Sequence, residues 1–229
     1  VSGCSGVSSE KVITGDLDAT ILLTGDGDGI KVSVTLLQNF HTTVDLADGD
    51  DLVATSGDES ITLSGSGGHY YGRLEVAPDP GTEVTVGLDR ATEDDAPSST
   101  ASLPEAVEVL SPPARASFYA EDELTFIVDD APGDLLVTWT GTCVQTGDDL
   151  GRQVTVSGSR IVLPSDAVER LATDTKPCTV VFDVTRDRQG SLDSAFDKGS
   201  IAGRQHLEVP LRLRRAVVDL SPSPSPSPS

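Results

Sequence analysis

Cys143 and Cys178 are the two residues whose surroundings most clearly define a chemistry. The segment Leu135–Cys143 alternates apolar and polar side chains and ends on its cysteine, while Cys178 opens the segment Cys178-Thr179-Val180-Val181-Phe182-Asp183-Val184. Strand ends of this kind can be neighbours. A disulfide between them would constrain the intervening loop in the unfolded chain and add about 3–4 kcal/mol in the chain-entropy account. Two buried reduced thiols are the alternative. Zinc fits poorly, because no second Cys or His stands at ligand spacing from either residue.

Asp26 and Asp28 are the second candidate, for calcium. In Gly25-Asp26-Gly27-Asp28-Gly29 they place carboxylates at i and i+2, as calcium loops do, and Asp16, Asp18, Asp48, Asp50 and Asp51 are oxygen donors nearby in sequence. The distal glutamate of an EF-hand is missing, since the twelve-residue count from Asp26 ends on Leu37. A plain acidic hairpin accounts for the same residues. Hydrolase chemistry has less to stand on. His41, His69 and His206 are scattered, and neither a nucleophile elbow nor a paired-histidine metal motif is present. Ser64-Gly65-Ser66-Gly67-Gly68-His69 reads as a flexible loop. Paired carboxylates for glycoside cleavage remain open among 37 acids, but the platforms on which sugars stack are scarce, with one Trp, three Tyr and five Phe. His69-Tyr70-Tyr71 is the one aromatic cluster that looks exposed, either a contact patch or an alternating strand.

The elements that must hold these residues are strands. Val, Thr, Ser, Gly and Asp recur through the 229 residues, and stretches that favour helices are missing. Apolar alternation marks Val12 with Thr14, Ile21 with Leu23, Ile30–Leu36, Val44 with Leu46, Ile61 with Leu63, Leu74 with Val76, and Val84–Leu88. Gly25–Gly29 and Asp48–Asp51 read as hairpin loops. A second series follows: Ala106–Leu110, Leu124–Val128, the Trp139 segment, Val154–Val156, Ile161–Leu163, the Cys178 segment and Leu207–Arg214. In the last of these Pro210 argues for an edge or a bulge. One short helix is expected over Asp166–Leu171, capped by Ser165.

Strands at this spacing predict an all-β protein of two consecutive β-sandwich domains: an acidic one over residues 10–103 and a second over 104–220. Residues 221–229 repeat Ser-Pro and form an extended or disordered tail. The formal charge is −21, with 18 acids and 4 bases in residues 1–103. Such a surface repels nucleic acid, whose phosphates need clustered Lys and Arg. Basic partners or divalent cations would most readily meet the first half. Arg212, Arg214 and Arg215 form a basic strand end that could dock on an acidic neighbour. No apolar run reaches the roughly 20 residues of a membrane-spanning helix.

The opening run Val1-Ser2-Gly3-Cys4 resembles the lipobox of bacterial lipoproteins, in which an aliphatic and two small residues precede the cysteine that is acylated. Met is absent from the chain. The resemblance implies that Cys4 carries a lipid, that Val1–Gly3 are removed, and that residues 1–9 serve as lipobox and tether. The second half, with strand-borne Trp139 and a disulfide, resembles an immunoglobulin-like domain, although Trp139 precedes the first cysteine instead of lying between the two. Across the chain the order of pieces is similar to that of secreted bacterial lipoproteins: the lipobox, Val44-Asp45-Leu46 and Gly49-Asp50-Asp51-Leu52, the Leu103-Pro104 junction, and Thr185–Phe196.

These features lead to the expectation of a non-catalytic lipoprotein held at a bacterial outer membrane or cell surface, with a structural or adhesive role and protein partners. It needs no cofactor, and its membrane attachment is through the lipid alone. The alternative is a calcium-dependent module binding a glycan or protein; an accessory extracellular hydrolase comes third.

Overall fold

The structure, a computed structural model, describes residues 6–145, 147–148, 155–165, 167–169, 171 and 176–214. Cys4, Arg215 and the Ser-Pro tail lie outside the described residues. Within them the chain is all-β, with two short 3₁₀ turns, Ser9–Lys11 and Thr14–Asp16, and no α-helix.

Strand pairing begins with the hairpin of Leu17–Asp26 and Gly29–Gln38. It closes on Gly27 and Asp28, and Gly27 takes the positive φ (63°) that tight hairpin turns require. Alternation sends Leu17, Ala19, Ile21 and Leu23 to the same face as Ile30, Val32, Val34 and Leu36, all buried. His69–Leu74 pairs with the free edge of Gly29–Gln38. A separate sheet, ordered Ala96–Ser102, Glu83–Asp89, Asp51–Ser56, Glu59–Thr62, supplies Leu52, Ala54, Val84, Val86 and Leu88 to the same core. This is the first sandwich.

The second sandwich packs Phe118, Phe126, Trp139 and Phe182 between a further four-stranded sheet and the sheet that holds the first hairpin. Nine strands are described from Val109 onward. One layer takes the first, third, seventh and sixth of them, in that order; the other takes the second, ninth, eighth, fourth and fifth. Four strands facing a sheet built on the last two and the fourth is the immunoglobulin arrangement.

One strand belongs to both sandwiches. Lys198–Arg214 has 17 residues, about 55 Å at strand rise. Lys198 to Arg204 run parallel to Asp18–Thr24 of the first sandwich, while residues 202–213 run antiparallel to Cys178–Gln189 and reach the far end of the second. The result is a single sheet continuing through both halves. The cores divide accordingly: Leu103, Phe196 and Ile201 lie in the first, whereas Val107, Val209, Leu211 and Leu213 lie in the second. The segment around 190–203 therefore crosses back over the linear 103/104 division. Glycine makes the crossing possible, since a Cβ on Gly203 would stand 2.2 Å from the Ser102 carbonyl oxygen and one on Gly190 2.1 Å from that of Thr100.

Several sequence expectations are corrected. The Asp48–Asp51 loop joins Thr42–Asp45 to Asp51–Ser56 in a different sheet, so it is a crossover and not a hairpin. Val12 and Thr14 lie among the 3₁₀ turns instead of a strand. Of Ala106–Leu110, only the end enters a strand, Val109–Ser111. The expected helix after Ser165 is not formed by the described residues there, Asp166 and Arg170 lying outside them. Ala167 N–H donates to Pro164 O in a turn, Leu171 N–H donates to Cys143 O, and Glu169 O accepts from Gln145 N–H. Residues 6–9 of the expected tether are packed, with Val7 paired to Val44 and Ser9 fully buried.

Candidate interaction surface

Cys143 and Cys178 form a disulfide with a Cα–Cα distance of 6.3 Å. It closes the base of the second core beside Trp139. There Phe182 is the hub, with ring centroids 5.2 Å from Phe126, 5.7 Å from Phe118 and 6.3 Å from Trp139. Its work is structural.

The acidic hairpin carries its own cations. Lys31 Nζ lies 2.5 Å from Asp26, and Arg73 donates to Asp28 Oδ1 at 2.7 Å and to the Asp26 carbonyl at 2.9 Å. The hydrogen bond and charge of Lys31 hold the Asp26 carboxyl below its ordinary value. Among the other proposed oxygen donors, Asp50 is buried and bonded to Arg90 Nε at 2.9 Å, and Asp18 accepts from the Phe40 N–H. The described residues contain no group of three or more His, Cys, Asp or Glu placed to hold a metal.

Arg90 is fully buried and locks the first sandwich. Besides Asp50 it donates to Ser9 O, Val12 O and Thr14 Oγ1, tying the start of the described chain to the core. Burial opposes ionisation of Asp50, but bonds from the Ala91 N–H and Ser9 hydroxyl, together with Arg90, outweigh it and lower the carboxyl's pKa. A second buried arginine, Arg186, holds the junction. It donates to Ala106 O at 2.9 Å and to Asp129 Oδ1 at 2.8 Å, clasping the segment after Pro104. Asp187 takes both Nε and Nη2 of Arg204 at 2.7 Å. Asp193 accepts from the Ser98 N–H and hydroxyl, and these bonds lower its pKa against the effect of burial. Thr185–Phe196 is thus the joint between the sandwiches.

His69, Tyr70 and Tyr71 separate by strand alternation. Tyr70 is buried, accepting from Leu46 N–H and donating to Val44 O, whereas Tyr71 is 57% exposed. Tyr71 borders a depression of about 570 Å³ with Lys31, Val32, Ser33, Gly72 and Arg73 on the outer sheet face. Lys31 and Arg73, which frame the exposed phenol, are themselves paired with Asp26 and Asp28. The histidines do not converge: His69 Nδ1 meets Thr35 Oγ1 at 3.2 Å and His206 Nδ1 meets Asp183 at 3.1 Å.

A second depression, of about 510 Å³, lies at the far end of the long strand, lined by Arg115, Pro177, Thr179, Pro210 and Arg212. Arg212 is marked by its place in the alternating basic strand, whereas Arg115 carries no such signal, and its φ of 66° places a non-glycine residue in the left-handed region.

The architecture is that of a tandem β-sandwich protein. No family model and no curated protein matches the chain. Among solved structures, the N-terminal two-immunoglobulin module of the Drosophila receptor protein tyrosine phosphatase DLAR aligns at 9% identity and a TM-score of 0.35, covering 88% of this chain and 99% of that one. A three-immunoglobulin fragment of titin aligns at 8% identity and a TM-score of 0.31, over 87% of this chain; the chain spans only 64% of that fragment. Fibronectin(III)-like modules of Clostridium thermocellum CbhA align at 11% identity and a TM-score of 0.24, covering 88% and 96%. At these TM-scores the likeness assigns neither family nor role, and the fold rests on the strand order itself.

Proposed function

We propose that the chain is a non-catalytic extracytoplasmic lipoprotein, anchored through Cys4 at a bacterial outer membrane or cell surface, in which two sandwiches act as one stiff body with a structural or adhesive role. The stiff-body part of this reading is carried by the Lys198–Arg214 strand, which enters both cores, and the anchor by the Val1-Ser2-Gly3-Cys4 run. A stiff body suits spacing or presentation. Because Val7 is already paired to Val44, a lipid on Cys4 would seat the first sandwich at the membrane on a very short tether. The second sandwich would point away, and Tyr71 offers a contact on the outer face.

Intact mass of the protein from its native membrane fraction tests the anchor. The expected mass is a chain beginning at Cys4 plus acyl groups; an unacylated chain retaining Val1–Gly3 would refute the reading. The calcium-dependent alternative requires an ion to compete with Lys31 and Arg73 for Asp26 and Asp28. Equilibrium dialysis at millimolar calcium decides it, and no uptake removes it.

A further inference from the structure

The long strand is paired along one side by Cys178–Gln189, but its other side is interrupted. Leu17–Asp26 pairs with it as far as Arg204, and Ser117–Tyr119 resumes at Arg212. On this side no strand among the described residues pairs with Gln205–Leu211, and because Pro210 O is already bonded to the Arg115 N–H the open stretch is residues 205–209, about 16 Å of chain. His206, Leu207 and Glu208 are exposed there, three consecutive residues between the buried Ile201–Gly203 and the buried Val209.

The backbone direction is fixed by its neighbours. Pro210 O accepts from the Arg115 N–H and the Arg212 N–H donates to Ala116 O, so even-numbered residues turn their backbone groups to the interrupted side. Ile201, odd-numbered, turns its carbonyl to Gly190 on the other side. By alternation His206 and Glu208 present both N–H and C=O into the gap, where no described group bonds them. Pro210, whose missing donor would face the same gap, fits this position for that reason. Leu207 is 38% exposed at the waist between the cores. At the lower end stand Arg115 and Arg212, which make no ion pair among the described residues and line the 510 Å³ depression with Pro210. Backbone held in an unfavourable region, as at Arg115, is frequently found where a ligand is gripped.

We propose that this gap accepts an extended segment of a partner protein as an added strand, running parallel like both flanking strands, with an acidic side chain at its C-terminal end meeting Arg115 and Arg212. Main-chain bonds to His206 and Glu208 provide the pairing, Leu207 provides an apolar contact, and the arginines select the charge. The proposal names a partner class for the interaction role above and rests on that role. The lipid anchor is a separate matter, read by mass, so either idea can fail alone.

The test selects a displayed library of random nine-residue peptides against the full chain, followed by amide exchange on the complex. In the free protein the His206 and Glu208 amides should exchange quickly and those of Leu207 and Val209 slowly. Selected peptides should share alternating apolar residues ending in Asp or Glu and slow the His206 and Glu208 amides at least tenfold. Arg115→Glu, at an exposed position, should weaken binding at least tenfold, as should Leu207→Lys, each with unchanged thermal midpoint. Amides already slow in the free protein, no selected peptide, or peptides indifferent to both substitutions would overturn the proposal.

Discussion

The two sandwiches solve the same packing problem with different materials. The first core is almost wholly aliphatic, with Tyr70 and Phe196 its buried aromatics among the described residues, and it is closed by a polar lock in which Arg90 gathers Asp50, two carbonyls and Thr14. The second gathers Phe118, Phe126, Trp139 and Phe182 and adds the Cys143–Cys178 bridge. The second core thus rests on aromatic area and a covalent link, whereas the first rests on paired aliphatic strands and the buried Arg90–Asp50 pair. The chain's acidity is therefore partly architectural, since Asp50 is bound inside.

The comparison is broken most severely by Arg90→Met, which strands the Asp50 carboxylate. A loss of about 3–5 kcal/mol is expected, as for other buried pairs deprived of one member, read by urea denaturation. Replacing both Cys143 and Cys178 by Ala strikes the other half. Freeing a loop with a sequence separation of 35 should cost about 4 kcal/mol in the chain-entropy account, and reductant should reproduce the loss only in the wild type.

Acid sharpens the contrast. Burial raises the pKa of Asp50, Asp129 and Asp193, but hydrogen bonds and, for the first two, arginines hold each below its ordinary value of 3.8. Folded carboxyls that bind protons less readily than unfolded ones stabilise fully above the unfolded pKa and lose that contribution as pH falls through the lower folded one. Thermal midpoints should therefore be flat from pH 7 to about 5 and fall below about 4. In the Arg90→Met variant the fall should be shallower, because protonating the unpaired Asp50 relieves it. The smallest effect belongs to Tyr71→Ala, expected within about 0.5 kcal/mol of wild type because the ring is exposed; a larger loss would make Tyr71 a packing residue.

Much of the fold was legible because period-2 alternation is local. The Gly25–Gly29 hairpin and the strand ends bearing Cys143 and Cys178 followed from pattern and turn chemistry alone. The shared strand was half legible: Leu207–Arg214 alternates clearly, but Lys198-Gly199-Ser200-Ile201-Ala202-Gly203-Arg204 does not. Its small residues are set by close backbone approach, as where Gly199 abuts Ala19, and its pairing with Asp18–Thr24 spans most of the chain. Buried arginines give little signal, since exposure is the usual state of that side chain. Arg186 nevertheless continues the inward series Val180, Phe182, Val184, and that register was the available clue. Arg90 offered none, because its partners come from turns distant in sequence.

The strand shared by the two sandwiches should make them move as one body. Backbone residual dipolar couplings, collected on the full chain in a weakly aligning medium, test it most directly. A single alignment tensor fitting the amides of residues 17–103 and 117–189 together is the predicted result; two distinct tensors, one for each half, would contradict it.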